Sequence, residues 1–316
     1  MSSLFFSPKT ILSKKIKNTA KIAATALLML TVNGAQAAST TPFITTWEVT
    51  DSDPTITIPV GSGNYAYHVL WGDGKISWNV QGEVSHTYDS SGMKELQIFG
   101  DFPAMYFGNS QIRTVEAWGD QNWQTMGGAF FRASNLTINA LDAPNLSEVT
   151  DMGHMFREVG TLSGNFANWD TSNVTSMFRM FEKSKDFNED ITQWDVSNVV
   201  TMSAMFRSAH AFNQDIGHWT TSSLVISTWM FREAYAFDHA LGGWDISNLT
   251  RAHQMLSHKG YSTANYDETL RGWATQDVQS NVPFYVNTTY CTAGDERNAL
   301  INDHGWIITD FGLKCD

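Results

Sequence analysis

From residue 144 to residue 268 the apolar positions of the chain return every 25 residues. Trp169, Trp194, Trp219 and Trp244 form one column. The pair Met155-Phe156 returns as Met180-Phe181, Met205-Phe206, Met230-Phe231 and Met255-Leu256. Phe187, Phe212 and Phe237 hold the same phase, as do Ile191, Ile216 and Leu241, and Val174, Val199, Leu224 and Leu249. A 25-residue unit is too small to bury such a set by itself. Stacked units can bury it, because each side chain meets its equivalent one repeat away. The pattern therefore predicts a solenoid of five coils. Its core ladders are Trp169, Trp194, Trp219 and Trp244, beside Phe156, Phe181, Phe206 and Phe231. Stacking on a ligand is the alternative use of the Trp column.

Between Trp and Met-Phe lies a polar piece, Asp170-Thr171-Ser172-Asn173 and its equivalents at 195–198 and 245–248. Its Asn and Ser side chains are suited to bonding backbone groups from coil to coil. A short strand is expected at Val-x-x-Met, and a single helical turn after Met-Phe. Phe130-Phe131 stands 25 residues before Met155-Phe156, so residues 106–143 read as a degenerate capping coil.

The flanks have other periods. Ile56, Ile58 and Val60 alternate with polar residues, as do Tyr65, Tyr67 and Val69, and both stretches predict strands. A tight turn at Trp71-Gly72-Asp73-Gly74 and a further strand at 96–99 complete a small β domain over 44–105, or a β-rich N-terminal cap that covers the first coil. Residues 269–316 form the C-terminal cap, with a helix ending near Leu270–Trp273, a second from Glu296 to Ile301, and a last strand at Trp306-Ile307-Ile308.

Residues 1–37 read as a signal peptide: five lysines, an apolar run from Ile22 to Val32, then Ala35-Gln36-Ala37. The run is too short to span a bilayer, and no integral membrane span is expected in the mature chain. Cleavage removes five lysines and no acid from a chain of net charge -12, so the mature protein is more acidic still. That charge argues against nucleic acid as a partner. The two cysteines, Cys291 and Cys315, read in an exported protein as one disulfide stapling the cap, worth roughly 3 kcal/mol. The expected address is extracellular or cell-surface, with the periplasm as the alternative.

One repeat stands as Phe187-Asn188, Ile191, Trp194-Asp195-Val196-Ser197-Asn198-Val199, Met202 and Met205-Phe206. It resembles the repeat of BspA-like leucine-rich-repeat bacterial surface proteins over about 125 residues. The resemblance implies a leucine-rich-repeat-like fold, export, surface display and adhesion or binding rather than catalysis. The fourth coil departs from it at Thr220, Ser223 and Ser227. The Gly72-Asp73-Gly74 turn and His86-Thr87-Tyr88 resemble pieces of PKD-type β-sandwich domains.

Candidate chemistry adds little that is enzymatic. There is no HExxH, no nucleophile elbow and no phosphate-cradling glycine loop, and the carboxylates fall mostly in repeating columns. No enzyme activity and no cofactor are expected. Arg157, Arg207 and Arg232 share a column with Glu182, and Arg132 is placed one period earlier. That stripe reads either as a solvated salt-bridge lattice with Glu158 and Glu233 or as a binding face for an anionic glycan or an acidic protein patch. Trp229 departs from a column that otherwise holds His154, Arg179, Ala204 and Gln254. Asp186, Glu189, Asp190 and Asp215 are weak Ca2+ candidates, Asp190 and Asp215 above all, against plain polar turns. The expected function is recognition of an extracellular protein or glycan through the coil faces. The alternatives are a carbohydrate-binding accessory protein using Trp78, Trp118, Trp123 or Trp229, and a structural envelope component.

Overall fold

The computed structural model of the chain describes residues 41–61, 63–108 and 111–315. The signal-peptide expectation for 1–37 lies outside them. Nine strands come first: β1 (Phe43–Val49), β2 (Thr55–Ile58), β3 (Ala66–Leu70), β4 (Ile76–Val80), β5 (Val84–Thr87), β6 (Gly92–Asp101), β7 (Ile112–Ala117), β8 (Asn135–Ile138) and β9 (Thr161–Gly164). Seven of them form one sheet in the order β4-β3-β6-β1-β7-β8-β9, while β2 pairs with β5. The pairs β7·β8 and β8·β9 are parallel, so this sheet runs without a break into the first repeats.

Strand β1 buries Phe43, Thr45, Trp47 and Val49 on one face. Thr45 is tolerated there because its Oγ1 accepts the Trp47 indole N–H at 2.8 Å. The turn after β3 closes from Trp71 N–H to the Lys75 carbonyl. Gly72 sits at φ +79°, where a Cβ would lie 2.4 Å from the Glu95 carbonyl oxygen. Asp73 Oδ2 is 2.8 Å from His86 Nε2, the Trp71 ring stacks on His86 at 4.9 Å, and Tyr88 donates to the Trp71 carbonyl. The two short pieces singled out in the sequence thus meet in space.

The expected leucine-rich-repeat-like solenoid of short strands and helical turns is not what the chain forms. The described residues make three β-sheets and two helices, and the repeats supply no regular strand-and-helix unit. Where a strand was expected, successive repeats share one isolated parallel bridge each, Asp151↔Ser176, Ser176↔Thr201, Thr201↔Ile226 and Ile226↔Arg251. Where a helical turn was expected, the backbone runs through consecutive tight turns with two left-handed residues per repeat. His154 and Glu158, Arg179 and Lys183, Ala204 and Ser208, and Trp229 and Glu233 all have φ between 55° and 63°. This geometry points alternate N–H groups out of the repeat. Met152, His154, Phe156 and Glu158 donate to the carbonyls of Ser176, Phe178, Met180 and Glu182, and the next repeats repeat the scheme. A helix would have spent those donors internally.

The aromatic columns lie inside. Phe156, Phe181, Phe206 and Phe231 stack with ring centroids 5.7, 5.7 and 5.6 Å apart. Trp169 stacks on Trp194 and Trp219 on Trp244. Trp194, Trp219 and Trp244 each donate their indole N–H to a carbonyl of the preceding repeat. All eight rings are buried. The Asn side chains knit the polar edge, Asn173 to the Ser147 carbonyl, Asn198 to Ser172 and Asn248 to Ser222.

The far end is closed by a three-stranded sheet of β10 (Ala252–Leu256), β11 (Pro283–Val286) and β12 (Ile307–Thr309), with helices α1 (Thr263–Ala274) and α2 (Gly294–Asn302). Ser262 caps α1, and Trp273 and Trp306 continue the indole-to-carbonyl pattern through Leu241 and Gln279. Cys291 and Cys315 form the expected disulfide. Buried Asp267 accepts the N–H groups of Cys291, Thr292 and Ala293 beside it.

Candidate binding face

The left-handed turns place one set of long side chains on a common surface. Glu182 is its centre, with a side chain only 1% exposed. Three guanidiniums converge on it from three repeats. Arg207 Nη1 donates to Oε1 at 3.2 Å, Arg157 Nε lies 2.7 Å from Oε2, and Arg179 Nε lies 3.8 Å from the same oxygen. The Arg157 contact is close but off-line, so Oε2 has no aligned hydrogen bond and the pairing there is ionic. The Nε atoms of Arg157, Arg179 and Arg207 are all buried without an aligned acceptor.

Glu158 forms a second node. It accepts from Arg132 Nε at 2.9 Å, Arg157 Nη2 at 3.0 Å and Lys183 Nζ at 3.1 Å. Partial burial works to raise its pKa, but those hydrogen bonds and the Arg157 charge outweigh burial and hold it below the usual range. Glu233 is paired more loosely, with Ser208 at 2.7 Å and Arg232 at 3.5 Å. His154, beside Arg157 and Arg179, is kept below its ordinary pKa first by burial and then by those charges.

Aromatic rings seat the guanidiniums. Arg132 and Arg157 lie 4.7 and 5.0 Å from the Phe131 centroid, Arg179 lies 4.9 Å from Phe178, and Arg207 lies 5.5 Å from Trp229. The reason that Trp229 departs from its column is now visible: it supports Arg207. Six basic side chains (Arg132, Arg157, Arg179, Lys183, Arg207, Arg232) thus meet four acids (Asp151, Glu158, Glu182, Glu233), and the face is positive on an acidic chain.

The structure moves some sequence-derived candidates. Phe130, not Phe131, stacks on Phe156, at 5.5 Å and 6°. The first spacing is therefore 26 residues, and Arg132 shares the left-handed column of Glu158 rather than the column of Arg157. Phe131, Phe178 and Arg179 were not singled out as site residues, because their columns hold different residue types from repeat to repeat. Trp118 and Trp123 are fully buried and present no ring to a ligand, whereas Trp78 is 40% exposed.

Asp190 and Asp215 turn their carboxylates back on the N–H groups of Thr192 and Gly217. Among the described residues no group of three or more His, Cys, Asp or Glu is arranged to hold a metal ion. A polar cleft of about 270 Å3, lined by Asn64, Asp101, Asp120, Gln121, Asn122 and Gln124, opens elsewhere, where the sheet meets the first turns. Among the described residues no helix is long and apolar enough to cross a membrane.

Residues 101–206, 124–239, 156–269 and 190–291 each match the family described as "Mycoplasma protein of unknown function, DUF285". The four matches overlap and are staggered, as expected when equivalent repeats satisfy one pattern in several alignments. No curated relative and no solved structure matches the chain.

Proposed function

The chain belongs to the DUF285 family, and from this premise we propose that it is an exported binding or adhesion protein. It engages an extracellular protein or glycan through the exposed face of its repeats. The observation that carries the reading is the set of three guanidiniums around the single buried carboxylate of Glu182. A structural lattice needs charges that balance, because an unpaired charge at partial burial is costly. Here Arg157, Arg179 and Arg207 surround Glu182, only Arg157 has a further carboxylate in Glu158, and an anionic ligand supplies the missing charge. The disulfide fits an oxidising compartment. The repeat's resemblance to BspA-like surface proteins supports the same assignment.

The test is binding of the purified protein to an array of glycans and extracellular-matrix proteins. The companion variant is Arg132→Glu/Arg232→Glu, because these two are not bonded to Glu182 and their loss leaves the buried node intact. Binding that falls at least tenfold in a variant with unchanged melting supports the face as the site. Unchanged binding moves recognition elsewhere on the molecule. No binding by the native protein rejects the reading in favour of a structural role.

A further inference from the structure

We infer that the ligand of this face is a linear anionic glycan, laid along the repeat stack with sulfate or carboxylate groups on Arg157, Arg179 and Arg207. The inference rests on the reading above and specifies its ligand. Three features of the face select this chemistry.

The first is the way the arginines are held. The guanidinium carbons of Arg157, Arg179 and Arg207 lie over the rings of Phe131, Phe178 and Trp229, 4.9 to 5.5 Å from their centroids. A ring beneath a guanidinium restricts its rotamers and leaves its forked N–H donors for planar oxyanions. Arg179 is the most available of the three. It stands 3.8 Å from Glu182, beyond hydrogen-bonding distance, and its side chain remains 28% exposed.

The second is local charge. Around Glu182 three cations share one carboxylate, and the next acid, Glu158, is already engaged by Arg132, Arg157 and Lys183. A neutral sugar would leave this excess in place. An anionic one neutralises it where water is partly excluded and the attraction is stronger than in bulk.

The third is spacing. Successive repeats are joined by parallel bridges about 4.8 Å apart, which sets Arg157 and Arg207, two repeats apart in one column, about 9.6 Å apart along the stack, with Arg179 in the next column on the repeat between them. One pyranose of an extended β-linked chain is close to the rise of one repeat, so acidic groups on successive or alternate sugars stay in register with the arginines. An extended acidic peptide presents same-face side chains only about every 6.7 Å and drifts out of step within three repeats.

The experiment is fluorescence anisotropy with labelled oligosaccharides of increasing length, heparin-derived for sulfate and hyaluronan-derived for carboxylate alone, beside a poly-glutamate peptide. Affinity is expected to rise with oligosaccharide length until the chain spans Arg157 to Arg207, and to weaken steeply with salt. Arg179→Gln should weaken binding at least tenfold with an unchanged melting temperature, since the Arg179 side chain makes no hydrogen bond in the fold and its backbone bonds are kept. Arg179→Lys should recover little of the loss, because the charge returns without the fork. The heparin and hyaluronan arms decide which oxyanion is read. Equal or tighter Arg179-dependent binding of poly-glutamate overturns the glycan assignment while leaving the face as a binding site. Oligosaccharide binding indifferent to Arg179→Gln, or absent while another ligand still requires Arg132 and Arg232, also overturns it. A native protein that binds nothing fails at the earlier step, as a binding protein.

Discussion

Glu182 Oε2 lies 2.7 Å from Arg157 Nε, and the carboxylate is 1% exposed while the arginine keeps 21% of its side chain in solvent. The acid is the buried partner, so the two ends of this pair are not equivalent. Glu182→Gln removes the negative charge at the centre and leaves three guanidiniums facing one another. It is expected to lower stability by about 3 kcal/mol in urea unfolding, while polyanion binding persists or tightens. A variant with an unchanged midpoint would show that the carboxylate does not hold the three repeats together.

Ala204 distinguishes the turn geometry from a helical turn. It is buried, at φ 55°, and donates its N–H to the Thr228 carbonyl of the following repeat. In a helix, Ala204→Gly costs about 1 kcal/mol. In the left-handed region the same change relieves strain and should stabilise by about 0.5 kcal/mol, the lost methyl contact offsetting part of the gain. Thermal unfolding of this variant gives opposite signs for the two geometries.

The cystine makes a local prediction. Cys291 and Cys315 tie the segment after β11 to the end of the chain, beside Asp267 and its bonds to residues 291–293. Cys291→Ser/Cys315→Ser should cost about 3 kcal/mol under the loop-entropy account. Hydrogen exchange should show faster opening of β11, β12 and α2, with the Phe181–Phe206 region unchanged. Uniform loss of protection across the chain would count against a cap that opens separately.

His258 sets a pH dependence. It is 1% exposed, and burial chiefly pushes its pKa from 6.5 to about 4, against the opposing Lys259 carbonyl and Asp238 charge. The unfolded chain takes up this proton near pH 6.5, but the fold does so only near pH 4. The unfolded state therefore holds more protons between these values, and stability falls as pH drops through that window, by on the order of 3 kcal/mol. The contribution is complete above pH 6.5. His258→Gln should flatten the profile between pH 6.5 and 4.5 relative to the native protein, and parallel profiles would show that another group dominates.

The 25-residue period, the two aromatic columns, the strands at Ile56 and after Tyr65 and both cap helices were legible because each rests on repetition or on local propensity, and the disulfide because the chain has two cysteines and reads as exported. The turns after each Met-Phe pair were not. Their left-handed positions carry His154, Arg179, Ala204 and Trp229, none of them Gly or Asn, so the residue types do not advertise the backbone. Phe130-Phe131 hid the 26-residue spacing, since two identical neighbours satisfy either alignment. Strand β1 had an alternating signal in Phe43, Trp47 and Val49, but Thr45 interrupts it until its bond to Trp47 is known. The arginine column and Trp229 were visible, whereas the other two rings were not, because Phe131, Phe178 and Trp229 occupy three different columns.

The forward-pointing N–H groups have a mechanical consequence. The bonds joining one repeat to the next lie along the stack, so a pull on its two ends loads them end-on rather than in shear. The structure then yields by peeling one repeat after another. Residues bonded across each interface are separated by 24 positions, as from Met152 to Ser176, and each rupture frees about 80 Å of extended chain. A tether built this way lengthens in equal steps under load and shortens again as each repeat re-docks on its neighbour.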